Sequence, residues 1–105
     1  MPNFQDVMDL IKPEQVGRYW FRGHSPTPQP RIFGGQVLAQ CLLAANDTVD
    51  NTLIAHSMHA YFLRAGDSTI PIEFDVDPIR DGRSFATRRV VARQRGDDLL
   101  VFNVS

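Results

Sequence analysis

The stretch "RIFGGQVLAQCLLAA", Arg31 to Ala45, decides how the rest of the chain folds. Gly34-Gly35-Gln36 leads it, and between Val37 and Ala45 the only polar residue is Gln40. The spacing predicts a helix from about Gly35 to Ala45, roughly 16 Å at about 1.5 Å per residue, stopped by Asn46-Asp47. Its apolar residues cover every face, which is unfavourable in water, so the rest of the fold is expected to enclose it.

The chain beyond the helix can supply that cover. Leu53 to Leu63, Ile70 to Ile79, Phe85 to Gln94 and Leu99 to Val104 all read as strands joined by short connections. Ile72, Phe74 and Val76 alternate with Glu73, Asp75 and Asp77, the pattern of a strand with one face on a core and the other in solvent. Arg80-Asp81-Gly82-Arg83 and Arg95-Gly96-Asp97-Asp98 read as hairpin turns. Upstream, Phe4 to Ile11 has near-helical spacing until Lys12-Pro13, Val16 to His24 reads as a first strand, and "SPTPQPR" as a stiff extended loop.

One buried helix with an antiparallel sheet around it, in the order strand, helix, four strands, is the α+β design known as the hotdog fold. The last strand reaches Ser105 still apolar and alternating, so the chain reads as a fragment or as one whose last edge a partner completes.

A length of 105 residues with 43% hydrophobic content suits one domain with one core. Eleven basic against twelve acidic side chains give a net charge of -1, so no global field recruits nucleic acid or an anionic membrane. Cys41 is the lone cysteine and cannot form an internal disulfide, and no leading segment reads as a signal or a membrane span. These features imply a reducing, cytoplasmic setting.

"RIFGGQVLAQCLLAA", "HSMHAYFLRAGD" and "PIRDGRSFATRRV", in that order and spacing, closely resemble the first repeat of the acyl-CoA thioesterase II (TesB) family. The resemblance runs from about Gly17 to Ser105. It implies a second hotdog repeat that packs on the first as a pseudo-dimer, hydrolysis of the acyl-CoA thioester by water, and no cofactor or metal beyond the coenzyme A of the substrate. It also implies that the catalytic aspartate, serine or threonine, and glutamine belong to the second repeat. Ala55, in "AHSM", stands at the position matching that aspartate, and an alanine can neither hold nor deprotonate a water. The glutamine would match somewhere near Ser105. This repeat therefore resembles the non-catalytic partner that shapes the pocket, with a second repeat or another copy of the chain as its companion in an oligomer.

Substrate-contact candidates arise from the chemistry. Gly34, Gly35 and Gln36 begin the helix, where unpaired N–H groups and the positive dipole end could polarise a thioester carbonyl; alternatively the glycines only let the loop turn and approach the sheet. His56 shares a strand face with Ile54, Met58 and Phe62, and reads either as a hydrogen-bonded core residue or as one that orients water in the neighbouring repeat. Arg64, Arg83, Arg88 and Arg89 could clamp coenzyme A phosphates, or simply form a solvated face beside Asp75 and Asp77; alternation sends Arg88 to one face and Arg89 to the other. Cys41, within the apolar helix, is expected to be an inert thiol with a raised pKa.

Two rival readings stand beside hydrolysis. The chain could be a catalytically silent domain that binds acyl groups or completes a partner's sheet, which Ala55 favours for the isolated chain. A hydratase would want a carboxylate and a histidine together in the pocket, and the sequence shows no clear pair.

Overall fold

The computed structural model describes residues 9–25, 34–49, 57–82 and 85–105. Strands β1 (Glu14–Gln15), β2 (Trp20–Gly23), β3 (Met58–Phe62), β4 (Ile72–Asp81), β5 (Ala86–Gln94) and β6 (Asp97–Val104) form a single sheet in the order β1-β2-β4-β5-β6-β3. Every pairing is antiparallel. Helix α1 (Gly34–Asn46) lies across β4, β5 and β6. This is the hotdog arrangement, an α+β fold with the helix packed on one face of the sheet.

The period of two in β4 does what its sequence implies. Ile72, Phe74 and Val76 are buried beneath α1 with Val90, Ala92, Leu100, Phe102 and Val104 of the neighbouring strands. Glu73, Asp75 and Asp77 face outward, where Glu73 accepts from Trp20 Nε1 at 2.6 Å and from Arg22 Nε at 2.8 Å. Arg93 bridges Asp75 and Asp98 on the same outer face.

The β5–β6 hairpin closes through Arg95 (φ 52°) and Gly96 (φ 82°), both in the left-handed region that a two-residue primed turn requires. Strand β4 runs on to Asp81, past the expected end at Ile79, because the register shifts between Asp77 and Arg80. Pro78 sits inside that irregularity, where a strand can tolerate a residue without an N–H.

Four expectations change. The helix is not enclosed on every side: Val37, Gln40, Cys41, Ala44 and Ala45 are buried, while Leu38, Ala39, Leu42 and Leu43 remain half-buried, because one sheet covers one face of a cylinder. The run Val16 to His24 yields strand only at Trp20–Gly23; Val16 and Gly17 instead donate their N–H groups to the Trp20 carbonyl and form a tight turn back to β1. Of the strand expected from Leu53 to Leu63, Met58–Phe62 is strand, Ser57 and Leu63 are not, and residues 53–56 lie outside the described residues. Finally, β6 is no edge. It lies between β5 and β3, so among the described residues the edge strands of the sheet are β1 and β3.

No helix among the described residues is long and apolar enough to cross a membrane.

Candidate functional site

The first turn of α1 is held by the polar residue that breaks its apolar run. Gln40 is fully buried, and its Nε2 donates to the carbonyls of Ile11 at 3.0 Å and His24 at 3.1 Å. Its Oε1 accepts from Gln36 Nε2 at 3.3 Å, and that same amide donates to Ser25 Oγ at 3.0 Å. A buried amide must find such partners, and here they tie the helix to the leading segment and to the end of β2. Gly23 leaves the space: a Cβ there would lie 2.9 Å from Gln40 Nε2 and 2.8 Å from the Phe74 ring.

Beside this anchored turn lies a groove of about 330 Å³, at the small end of ligand-sized pockets. Val37, Leu99 and Leu100 make an apolar floor, Gly34 and Phe62 stand at the helix start, and Arg64 is on the rim. A bulge builds this geometry. Ala92 pairs with Leu100 but Arg93 pairs with Asp98, leaving Leu99 as the extra residue in β6. The Leu99 carbonyl then accepts from the N–H groups of both Leu63 (2.8 Å) and Arg64 (3.2 Å), which fixes the chain just beyond β3.

The rest of the rim is stitched from below. Gln94, buried under the loop, accepts from Asp67 N at 2.8 Å and donates to the carbonyls of Asp67 (2.7 Å) and Ile70 (3.1 Å). The Asp67 carboxylate accepts from the Thr69 hydroxyl at 2.6 Å and the Thr69 N–H at 2.9 Å, and these two bonds hold its pKa below the usual carboxylate value.

Of the residues singled out from sequence, the structure brings Gly34 and Arg64 together on this groove, while the Gln36 amide is engaged with Ser25 and Gln40. Arg89 is exposed on the opposite face of the sheet. Arg88 is neither a solvated residue nor a free phosphate clamp. It is 3% exposed; Nε and Nη2 donate to Thr48 Oγ1 (2.8 Å) and O (2.9 Å), and Nη1 reaches the carbonyls of Arg80 and Thr87 and the Asp81 carboxylate. Those interactions bind it into the fold. Ala55, His56 and Arg83 lie outside the described residues.

Sequence reasoning passed over Phe62, Leu99 and Leu100 as groove residues, since a bulge that turns two successive leucines inward leaves no mark in an alternating pattern. Gln40 did carry a signal, as the one polar residue between Val37 and Ala45.

Chemically, the groove suits an amphiphile, with an apolar chain on the leucines, a polarised group near the helix start and an anionic group near Arg64. Among the described residues, none of its lining side chains can act as a nucleophile or general base. Cys41 is buried with its pKa pushed well up by desolvation, so it stays a thiol. Among the described residues no group of His, Cys, Asp or Glu could hold a metal ion.

A family model described as the acyl-CoA thioesterase N-terminal domain matches residues 21–105. The chain is 38% identical over 100 residues to human acyl-coenzyme A thioesterase 8, covering 94% of this chain and 31% of that protein. It is 44% identical over 90 residues to acyl-CoA thioesterase 2 of Haemophilus influenzae, covering 85% and 32% respectively. Among solved structures it is similar to the tesB protein of Mycobacterium avium subspecies paratuberculosis, with 41% identity and a TM-score of 0.87 over 97% of this chain and 42% of that one. The chain spans about a third of the length of these curated relatives.

Proposed function

The chain belongs to the acyl-CoA thioesterase N-terminal domain family, and from that premise we propose that residues 1–105 form one hotdog domain, the pocket-shaping and largely non-catalytic half of an acyl-CoA thioesterase. The reaction is hydrolysis: water adds to the thioester carbonyl, the carbon–sulfur bond breaks, and free fatty acid and coenzyme A leave. The groups that activate the water belong to a second hotdog repeat, and this repeat contributes acyl-binding surface, with no cofactor of its own.

The observation that carries this reading is the groove, which among the described residues offers an apolar floor, a helix N-terminus and one arginine but no nucleophile or base. Ala55 at the position matching the family's catalytic aspartate supports the same division of labour. The companion repeat, or another copy of the chain, would dock along β3, which is an edge strand among the described residues and whose Met58, Tyr61 and Phe62, with Leu63 just beyond, are all at least half exposed. The lone, buried Cys41 suits a reducing compartment such as the cytoplasm.

The test is reconstitution. Purified alone, the chain should show negligible acyl-CoA hydrolysis, with turnover appearing when a second repeat is supplied. Full turnover by the lone chain would defeat the non-catalytic assignment. If acyl-CoA binds but no second repeat elicits hydrolysis, the alternative favoured by Ala55 stands, a silent acyl-binding or assembly domain.

A further inference from the structure

Phe62 is the last residue of β3 and lies directly opposite Leu100 in the sheet register, on the face that carries the helix. The two are buried very differently: Leu100 is 0% exposed and Phe62 is 58% exposed. Instead of entering the core, the Phe62 ring leans over the start of α1. A Cβ built on Gly34 would lie 3.0 Å from Cε1, 3.5 Å from Cζ and 3.7 Å from Cδ1 of that ring. The ring thus rests where a side chain on residue 34 would stand, and the glycine sets how far it sits from the groove floor.

We propose that Phe62 is the residue that limits acyl-chain length in this groove, with Gly34 as the seat that holds its ring in place. The inference rests on the acyl-binding reading of the groove and adds to it the wall at which the chain stops. The ring lines the groove with Val37 and Leu100 at the helix start, and Arg64 follows it by two residues in the chain. An acyl chain laid along Leu99 and Leu100 has this ring as its neighbouring wall, so the bulk of the ring sets how much chain the groove takes. Because the ring is outside the close-packed core, shortening it enlarges the groove without hollowing the core, whereas truncating Leu100 would do both.

The experiment is calorimetric titration of the chain with hydrolysis-inert thioether analogues of butanoyl-, octanoyl- and dodecanoyl-CoA. Phe62→Ala should raise the affinity for the dodecanoyl analogue relative to the butanoyl one about tenfold, close to what burying about two further methylenes supplies. Phe62→Leu should shift the ratio in the same direction by a smaller factor, which keeps the test open if the alanine variant folds poorly. Gly34→Ala should push the ring into the groove and lower the same ratio, and adding Phe62→Ala to it should remove that loss. An unchanged ratio in folded Phe62 variants would overturn this proposal while leaving the acyl-binding reading intact. Failure of the unsubstituted chain to bind any of the three analogues would overturn both.

Discussion

At its C-terminal end α1 runs into a turn in which the Thr48 hydroxyl and N–H both bond the Ala45 carbonyl, and the buried Arg88 closes over that turn from the sheet below. At its N-terminal end the same helix starts on two glycines, beside a groove and a half-exposed phenylalanine. One end meets a cation whose donors are all engaged, and a positive charge suits a helix C-terminus. The other leaves Gly34, Val37 and the half-exposed Phe62 ring lining the groove. Rigidity is concentrated away from the place where a ligand would sit, so changes at the two ends should be read out differently, as lost stability at the closed end and altered binding at the open end.

The largest effect is expected from opening the closed end. Arg88→Met strands the Thr48 carbonyl and hydroxyl and the carbonyls of Arg80 and Thr87, and leaves Asp81 without its cation. The loss should be about 3 kcal/mol, read from the urea midpoint at unchanged slope. Arg88→Lys should restore less than half of it, because one ammonium cannot span the sites that a planar guanidinium reaches at once. A loss below about 1 kcal/mol would mean that the closed end is not what holds the helix down.

A smaller loss, about 2 kcal/mol, is expected from Gln40→Leu, which leaves the carbonyls of Ile11 and His24 without their donor. Hydrogen exchange sharpens the comparison. Amides of the leading segment and the end of β2 should lose protection while those of β5 and β6 keep theirs, since Gln40 ties only the first group to the helix. Uniform loss across the sheet would show that the two ends of α1 are not independent.

Much of this architecture was legible in the sequence, and the illegible parts have physical causes. The alternation of Ile72, Phe74 and Val76 with three carboxylates fixed which face of β4 is inside, because period two has only one solution against a core. The apolar helix was legible as the centre of the fold, but not how much of it stays open, since Leu38 and Leu42 look the same in sequence whether a sheet or solvent faces them. Arg88 and Arg89 are adjacent and identical in type; strand alternation separated their faces, yet only the position of Thr48 and Asp81 in space makes one of them a buried clamp. The groove was the least legible part, because it depends on the extra residue at Leu99 and on the two N–H groups that bond its carbonyl.

The smallest effect belongs to the open end, and it is a dependence on pH. The Thr69 hydroxyl and N–H favour the ionised form of Asp67, so its folded pKa lies below the ordinary 3.8. A group with a depressed folded pKa contributes stability that is fully present above its unfolded value and is lost as pH falls through the folded one. The stability difference between the chain and an Asp67→Asn variant should therefore be constant at neutral pH, begin to shrink as pH drops past 3.8, and close at still lower pH. Subtracting the variant removes the other carboxylates, which titrate alike in both proteins. Since Gln94 holds the Asp67 backbone and the neighbouring Arg64 stands on the groove rim, this protonation should loosen the rim while the Arg88 clamp keeps its end of the helix closed. A difference between the two proteins that is independent of pH would show that Thr69 holds Asp67 by geometry alone and that the charge contributes nothing to the rim.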